Sequence, residues 1–299
     1  LQAAQGQPMR KRGIETQTVM SSTWQYPEGT MTTMLQRAAE RGWPVYSWCY
    51  RETSNTVDGW LHPDEVDRKK TEVPTAMWDA EYELQEPSHD GRAIDPELID
   101  ACFLPALGVW QGDKPVVVEK VDGSATYITA ADWAQEKDRC VVVTFKMPEW
   151  TCVAWQAYNK LPWPVQIKRA YDQWSQYGGE FVHDATGLGS VVHDELKALT
   201  YTREEERRIK GVTMNRGNSN AMYTEYITAI ERGEITYPMI ELAYNEHRYA
   251  TYEDLYTSRG HAPDSFVAGA LAWSRRKRKN TAPTAVLSTP KVSGWDLGA

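Results

Sequence analysis

Between Ala125 and Tyr158 the sequence passes through three strand-like runs at hairpin spacing, and from Pro164 onward strands alternate with helices. Ala125–Ala131 reads as a strand ending at Asp132, Cys140–Phe145 as a second, and Thr151–Tyr158 as a third, with Met147-Pro-Glu-Trp150 as a turn. Pro164–Tyr177 is a helix closed by Gly178-Gly179, and Glu180–His183 a short strand running into Asp184, followed by a helix from about Ser190. Ile209–Met214 is a further strand, Asn220–Arg232 an amphipathic helix closed by Gly233, Tyr252–Thr257 a last strand, and Pro263–Arg278 a long closing helix. Hairpins join antiparallel strands, whereas parallel neighbours need a crossover that is usually helical. The order therefore predicts an α/β fold, a mixed sheet covered by helices.

The chain before residue 120 is built differently. Gly13–Met20 and Val45–Tyr50 read as short strands around an amphipathic helix, Met31–Arg41, closed by Gly42. Residues 55–119 are acidic, helical over Pro63–Lys70 and Thr75–Leu84, and then broken at Pro87, Gly91, Pro96, Pro105, Gly112 and Pro115. The expected divisions are thus a short α/β portion at 1–54, a linker subdomain at 55–119, the main domain at 120–279 and a flexible tail rich in Pro, Thr, Ser and Gly at 280–299.

Composition excludes several classes. No run approaches the ~18 apolar residues of a membrane span, and the first residues do not read as a signal peptide. The four cysteines, Cys49, Cys102, Cys140 and Cys152, have no C-x-x-C spacing, so neither a zinc knuckle nor a disulfide framework is indicated, and reduced intracellular thiols are expected. With 33 Lys and Arg against 41 Asp and Glu, the net charge is −8, a poor starting point for neutralising phosphates. The basic run Arg275–Lys279 and the cluster Arg207, Arg208 and Lys210 read as solvated helix ends, and Arg216 as solvated surface.

Three aspartates stand at element boundaries: Asp132 after the first strand of the main domain, Asp184 after the fourth, and Asp264 in the first turn of the closing helix. Singly, each has an ordinary explanation as a turn, a cap or an answer to a helix dipole. Together they offer hard oxygen donors of the kind Mg²⁺ uses, and crowded carboxylates repel unless a cation offsets them.

The segments Ala131-Asp-Trp-Ala-Gln-Glu-Lys-Asp138, Phe181-Val-His-Asp-Ala-Thr-Gly-Leu-Gly189 and Gly260-His-Ala-Pro-Asp-Ser-Phe-Val-Ala-Gly-Ala-Leu-Ala272 resemble the nuclease domain of the large terminase subunit of tailed bacteriophages. Trp163-Pro-Val-Gln-Ile167 and Ile230-Glu-Arg-Gly-Glu-Ile235 fit between them, and Thr18-Val-Met-Ser-Ser-Thr23 resembles the end of the same family's P-loop motor ATPase. The resemblance implies a ribonuclease H-like fold, with Asp132, Asp184 and Asp264 as metal-binding acids and two Mg²⁺ or Mn²⁺ ions as cofactors. It makes Asp138 an accessory acid and His261 a contact to metal or scissile phosphate. Lys210 and Arg216 are weaker candidates for phosphate contacts.

The implied activity is endonucleolytic hydrolysis of double-stranded concatemeric DNA by a two-metal-ion mechanism, at the initiation and termination of genome packaging. The implied partners are the small terminase subunit, the portal protein and other copies in an oligomeric motor, in the host cytoplasm and transiently at the procapsid portal. No G-x-x-x-x-G-K-[ST] is present, so ATP hydrolysis is expected only with a missing ATPase half, lost by truncation or carried on a second polypeptide. Two rival readings are a resolvase or transposase of the same fold and a non-catalytic DNA-docking module. The 13 Trp and 16 Tyr are read as packing groups, not as a stacking platform.

Overall fold

The apolar runs of the main domain pair in a way that brings two of the three aspartates to the same end of neighbouring strands. The computed structural model describes residues 19–23, 30–54, 61–85, 91–112, 115–134, 139–187, 189–257 and 260–276. In chain order the elements are α1 (Thr30–Arg41), α2 (Tyr50–Thr53), α3 (Pro63–Glu72), α4 (Thr75–Glu81), α5 (Pro96–Cys102), β1 (Phe103–Trp110), β2 (Val116–Val117), β3 (Thr126–Asp132), β4 (Cys140–Met147) and β5 (Thr151–Tyr158). They continue as α6 (Trp163–Tyr177), β6 (Glu180–Asp184), α7 (Gly189–Ala198), α8 (Arg203–Arg208), β7 (Ile209–Val212), α9 (Arg216–Glu231), β8 (Tyr237–Ile240), α10 (Glu241–Arg248), α11 (Tyr252–Tyr256) and α12 (Asp264–Trp273).

Six strands form one mixed sheet in the order β2-β5-β4-β3-β6-β7. β3, β4 and β5 are an antiparallel meander, whereas β6 runs parallel to β3, and β7 parallel to β6. This is the mixed sheet flanked by helices that the sequence predicts. β4 is buried from Cys140 to Phe145, as expected of a central strand covered on both faces. Its side chains alternate between two cores. Val141, Val143 and Phe145 face α9 and α12 together with Ile128, Ala130 and Val182, while Cys140 and Val142 face α6 and α7 through Ile167, Ala170, Trp174, Val192 and Leu196. α12 is buried from Ser265 to Trp273, which explains a sequence without a polar face after Asp264.

Several expectations change. β1, in the stretch read as broken, pairs in parallel with β8, and Phe103 stacks on Tyr237 with ring centroids 4.8 Å apart. Residues from Ala93 to Phe103 share the core that lies under the sheet. Of the stretch read as the strand Tyr252–Thr257, Tyr252–Tyr256 is helical, because Thr251 and Asp254 close a capping box that fixes the first turn. Val45–Cys49 has no regular structure, and Tyr50 begins α2. α9 starts at Arg216, earlier than expected, because the Asn215 side chain accepts from the Gly217 and Asn218 N–H groups. The strand expected at Gly13–Met20 lies outside the described residues up to position 18, and Val19 and Met20 have no regular structure. The 280–299 tail also lies outside the described residues. Among the described residues, no helix is long and apolar enough to cross a membrane.

Candidate metal centre

Asp132 is the last residue of β3 and Asp184 the last of β6. The final parallel pair between these strands is Ala131↔His183, so the two aspartates follow it at the same end of neighbouring strands. Adjacent strands lie about 4.8 Å apart, so the two residues stand side by side at the strand ends. On the other side, Asp132 pairs with Val141 of β4. Asp264 opens α12, and its Oδ2 accepts the Arg139 N–H at 2.7 Å. Arg139 immediately precedes β4, so this bond ties the helix start to the end of the sheet where Asp132 pairs with Val141.

Two buried groups feel the charges of these acids. The Cys140 thiol is pushed well up, first by burial and further by the charges of Asp132 and Asp264. The Tyr223 phenol on α9 is also raised, first by burial and then by Asp132 and Asp184. The charge of Asp132 contributes to both shifts.

The Asp184 carboxylate is held by its own loop. Its Oδ1 accepts the Thr186 N–H at 2.7 Å and the Thr186 hydroxyl at 2.5 Å, and that hydroxyl accepts the Met214 N–H at 2.8 Å. Asp184 thus organises a turn that bridges the loops after β6 and β7. Thr186 is not among the residues the sequence points to, although an Asp-x-Thr turn after a strand is a readable signal.

Trp133 and His183, which flank the acids, are likewise not among them. His183 is fully buried, with Nε2 2.9 Å from His193 Nδ1 on α7. Its Nδ1 lies 3.2 Å from the Trp133 indole nitrogen and 2.9 Å from the Asp184 carbonyl oxygen. Burial lowers its pKa to about 4, with the His193 ring adding to the effect and the Asp184 carbonyl opposing it.

The other candidates are placed as follows. His261 is exposed in the loop before α12, three residues ahead of Asp264. Asp138 lies outside the described residues. Lys210 sits on β7 opposite Val182, and Arg216 is exposed at the start of α9. Trp155, Trp174 and Trp273 are buried, as packing groups should be.

Hard carboxylate donors from three elements suit Mg²⁺ or Mn²⁺ better than a soft metal. Among the described residues, no three His, Cys, Asp or Glu side chains are grouped to hold one ion as they stand. The strand pairing sets Asp132 beside Asp184, and the Arg139 and Thr186 hydrogen bonds set where the Asp264 and Asp184 carboxylates rest.

No protein-family model matches the sequence, and no curated protein matches it. Solved structures do. The large terminase nuclease from thermophilic phage G20c with bound zinc matches with a TM-score of 0.49 and 20% identity, covering 60% of this chain and 97% of that one. The large terminase nuclease domain of Thermus phage P74-26 matches with a TM-score of 0.46 and 21% identity, over 60% and 93% of the two chains. The nuclease domain of the large terminase subunit gp2 of bacterial virus Sf6 gives a TM-score of 0.42 and 9% identity, over 60% and 97%. The chain is similar to phage large terminase nuclease domains. At these identities and TM-scores the functional reading rests on the site residues.

Proposed function

We propose that this chain is a metal-dependent endonuclease acting on double-stranded DNA, working as the nuclease part of a viral genome-packaging terminase. The observation that supports the reading is the position of Asp132 and Asp184 at the same end of neighbouring strands, with the Asp264 carboxylate accepting the N–H of Arg139, the residue before the strand that pairs with β3. Asp132 and Asp184 would hold the ions, Asp264 would complete the site, Asp138 would serve as an accessory acid, and His261 would contact metal or scissile phosphate.

The chemistry that a bound pair of Mg²⁺ or Mn²⁺ ions supplies is activation of an attacking water and stabilisation of the leaving oxygen of the phosphodiester. The protein's part is to hold the acids. Thr186 fixes the Asp184 carboxylate, and the Arg139 N–H fixes that of Asp264. A chain of net charge −8 with three acids at its centre repels DNA until cations bind, which makes activity and DNA affinity rise together with the metal.

The wider role follows the same proposal. The terminase would cut concatemers at the start and end of packaging, with site choice supplied by the small subunit and portal protein, and motor oligomerisation and ATP hydrolysis requiring an ATPase half. A second reading, a docking module with structural carboxylates, draws on the turn and cap roles that the hydrogen bonds of Asp184 and Asp264 would also fill.

Plasmid cleavage separates the two. Supercoiled DNA incubated with Mg²⁺ or Mn²⁺ should be nicked or linearised, EDTA should stop the reaction, and Asp184→Ala should abolish it with the fold intact. Cleavage that survives Asp184→Ala, or no cleavage with either ion, would favour the docking module.

A further inference from the structure

We propose that Lys160 and Arg216 are phosphate-binding residues, one on each flank of Asp132 and Asp184, and that duplex DNA lies across the strand ends from β5 to β7. The proposal rests on the DNA-acting reading above and draws on no bound metal. β5, β4, β3, β6 and β7 are successive strands of the sheet. Tyr158, the last residue of β5, pairs with Cys140, and Asp132 pairs with the next residue, Val141, so β5 finishes at the end of the sheet that carries the acids. Lys160 follows β5 by two residues. On the other flank Asp184 pairs with Val212, the last residue of β7, and Arg216 follows four residues later as the first residue of α9. Four strand spacings, about 19 Å, separate β5 from β7. That is the rise of about five or six base pairs, so a DNA strand centred on the acids carries phosphates over both flanks.

Each cation stands where the fold alone would not put it. Lys160 has φ +55°, the left-handed region that suits Gly or Asn and is costly for a longer side chain. Trp150 shares that region, but its ring is buried against Phe145 and Trp273, whereas Lys160 is exposed. Arg216 is exposed in the first turn of a 16-residue helix, where the partial positive charge of the helix start disfavours a cation. The Gly217 and Asn218 N–H groups already donate to Asn215 Oδ1, so the Arg216 side chain, and not the helix start, is what this corner offers a ligand.

Among the described residues no carboxylate lies within ion-pair distance of Lys160 or Arg216, while Lys146, Arg248, Arg275 and Arg276 each hold one. In a chain of net charge −8, two exposed and unpaired cations beside the acids call for an anion, and phosphate is the anion that the proposed substrate presents.

The test is the fluorescence anisotropy of a labelled duplex of about 20 base pairs, titrated in EDTA with the whole chain from about 50 to about 200 mM salt. Every protein carries Asp184→Asn, which removes one central charge and keeps an oxygen for the Thr186 N–H. Lys160→Gly and Arg216→Ala should each weaken binding about threefold to tenfold at the lower salt and reduce the slope of log affinity against log salt by about 1, and the pair together by about 2. Lys160→Gly also relieves the left-handed backbone, so its melting temperature should be no lower than the parent's, and Lys160→Arg should keep the parent's slope. The control is Lys120→Ala, which removes an exposed cation between β2 and the start of β3, at the opposite end of the sheet, and should leave the slope unchanged.

Losses no larger than that of Lys120→Ala, unchanged slopes, or no duplex binding by the parent at the lower salt would overturn the track. A lower melting temperature for Lys160→Gly would assign Lys160 to the fold and overturn its role. Plasmid nicking by wild type with Mg²⁺, run alongside, keeps the two failures apart. Nicking with unchanged slopes removes the track alone, whereas reduced slopes without nicking keep the track and remove the nuclease.

Discussion

Replacing Gly269 by Ala tests how α12, the helix that presents Asp264, is seated. A Cβ at this position would lie 2.2 Å from Tyr226 Oη and 2.7 Å from Tyr237 Oη. Comfortable carbon contacts begin at about 3.5 Å, so the two phenols would have to retreat by roughly 1 Å. They have little freedom to do so. Tyr226 Oη is 2.8 Å from Tyr237 Oη and 2.9 Å from His247 Nε2, and all three side chains are buried. Overpacking costs about 1–3 kcal/mol and a disrupted buried hydrogen bond about 1–3 more, against about 1 kcal/mol gained by placing Ala instead of Gly in a helix. The net expectation is a loss of about 3 kcal/mol, read as a lower midpoint in guanidinium unfolding. Adding Tyr226→Phe removes the nearest oxygen, so the double variant should lose at least about 1 kcal/mol less than the sum of the singles. A neutral or stabilising Gly269→Ala, or strict additivity with Tyr226→Phe, would refute this packing.

Two further outcomes follow from the same structure. His247 is fully buried, its pKa lowered by burial to about 4, and its Nδ1 donates to the Ala243 carbonyl at 2.7 Å while Nε2 accepts from Tyr226. Because the folded value lies below the unfolded one of about 6.5, the unfolded chain binds the extra proton, and up to about 3 kcal/mol of stability present above about pH 6.5 should be lost as pH falls toward about 4. His247→Asn should flatten that part of the stability–pH curve, and equal slopes would contradict the assignment. Thr186→Val removes the hydroxyl shared by Asp184 and the Met214 N–H, and should raise the Mn²⁺ concentration for half-maximal plasmid cleavage about tenfold, whereas an unchanged metal dependence would separate Thr186 from the site.

The parts of this protein legible in its sequence are those governed by local pattern. β3, β4 and β5 are apolar runs bounded by turns, and Asp132 and Asp184 stand out because each ends a strand. Asp264 is readable from its place after Pro263 at the head of an apolar helix. What pattern does not carry is long-range pairing. β1 contains Pro105 and Gly108, which read as breaks, and its partner Tyr237 lies far along the chain from Phe103. Tyr252–Tyr256 alternates like a strand, but the reciprocal bonds of Thr251 and Asp254 make it helical.

His183 illustrates a different limit. Its position between Val182 and Asp184 marks it as a strand residue, but only the fold brings Trp133 and His193 to its two ring nitrogens. Arg139 is similarly inconspicuous in sequence, and its role is carried by a backbone N–H that any residue other than proline would supply.

The central claim is that three acids from separate elements hold divalent cations. Anomalous diffraction from a crystal soaked in Mn²⁺ tests it most directly. The account predicts Mn²⁺ peaks at the ends of β3 and β6, coordinated by Asp132 and Asp184, with Asp264 in the same cluster. Peaks elsewhere, or none at saturating Mn²⁺, would contradict it.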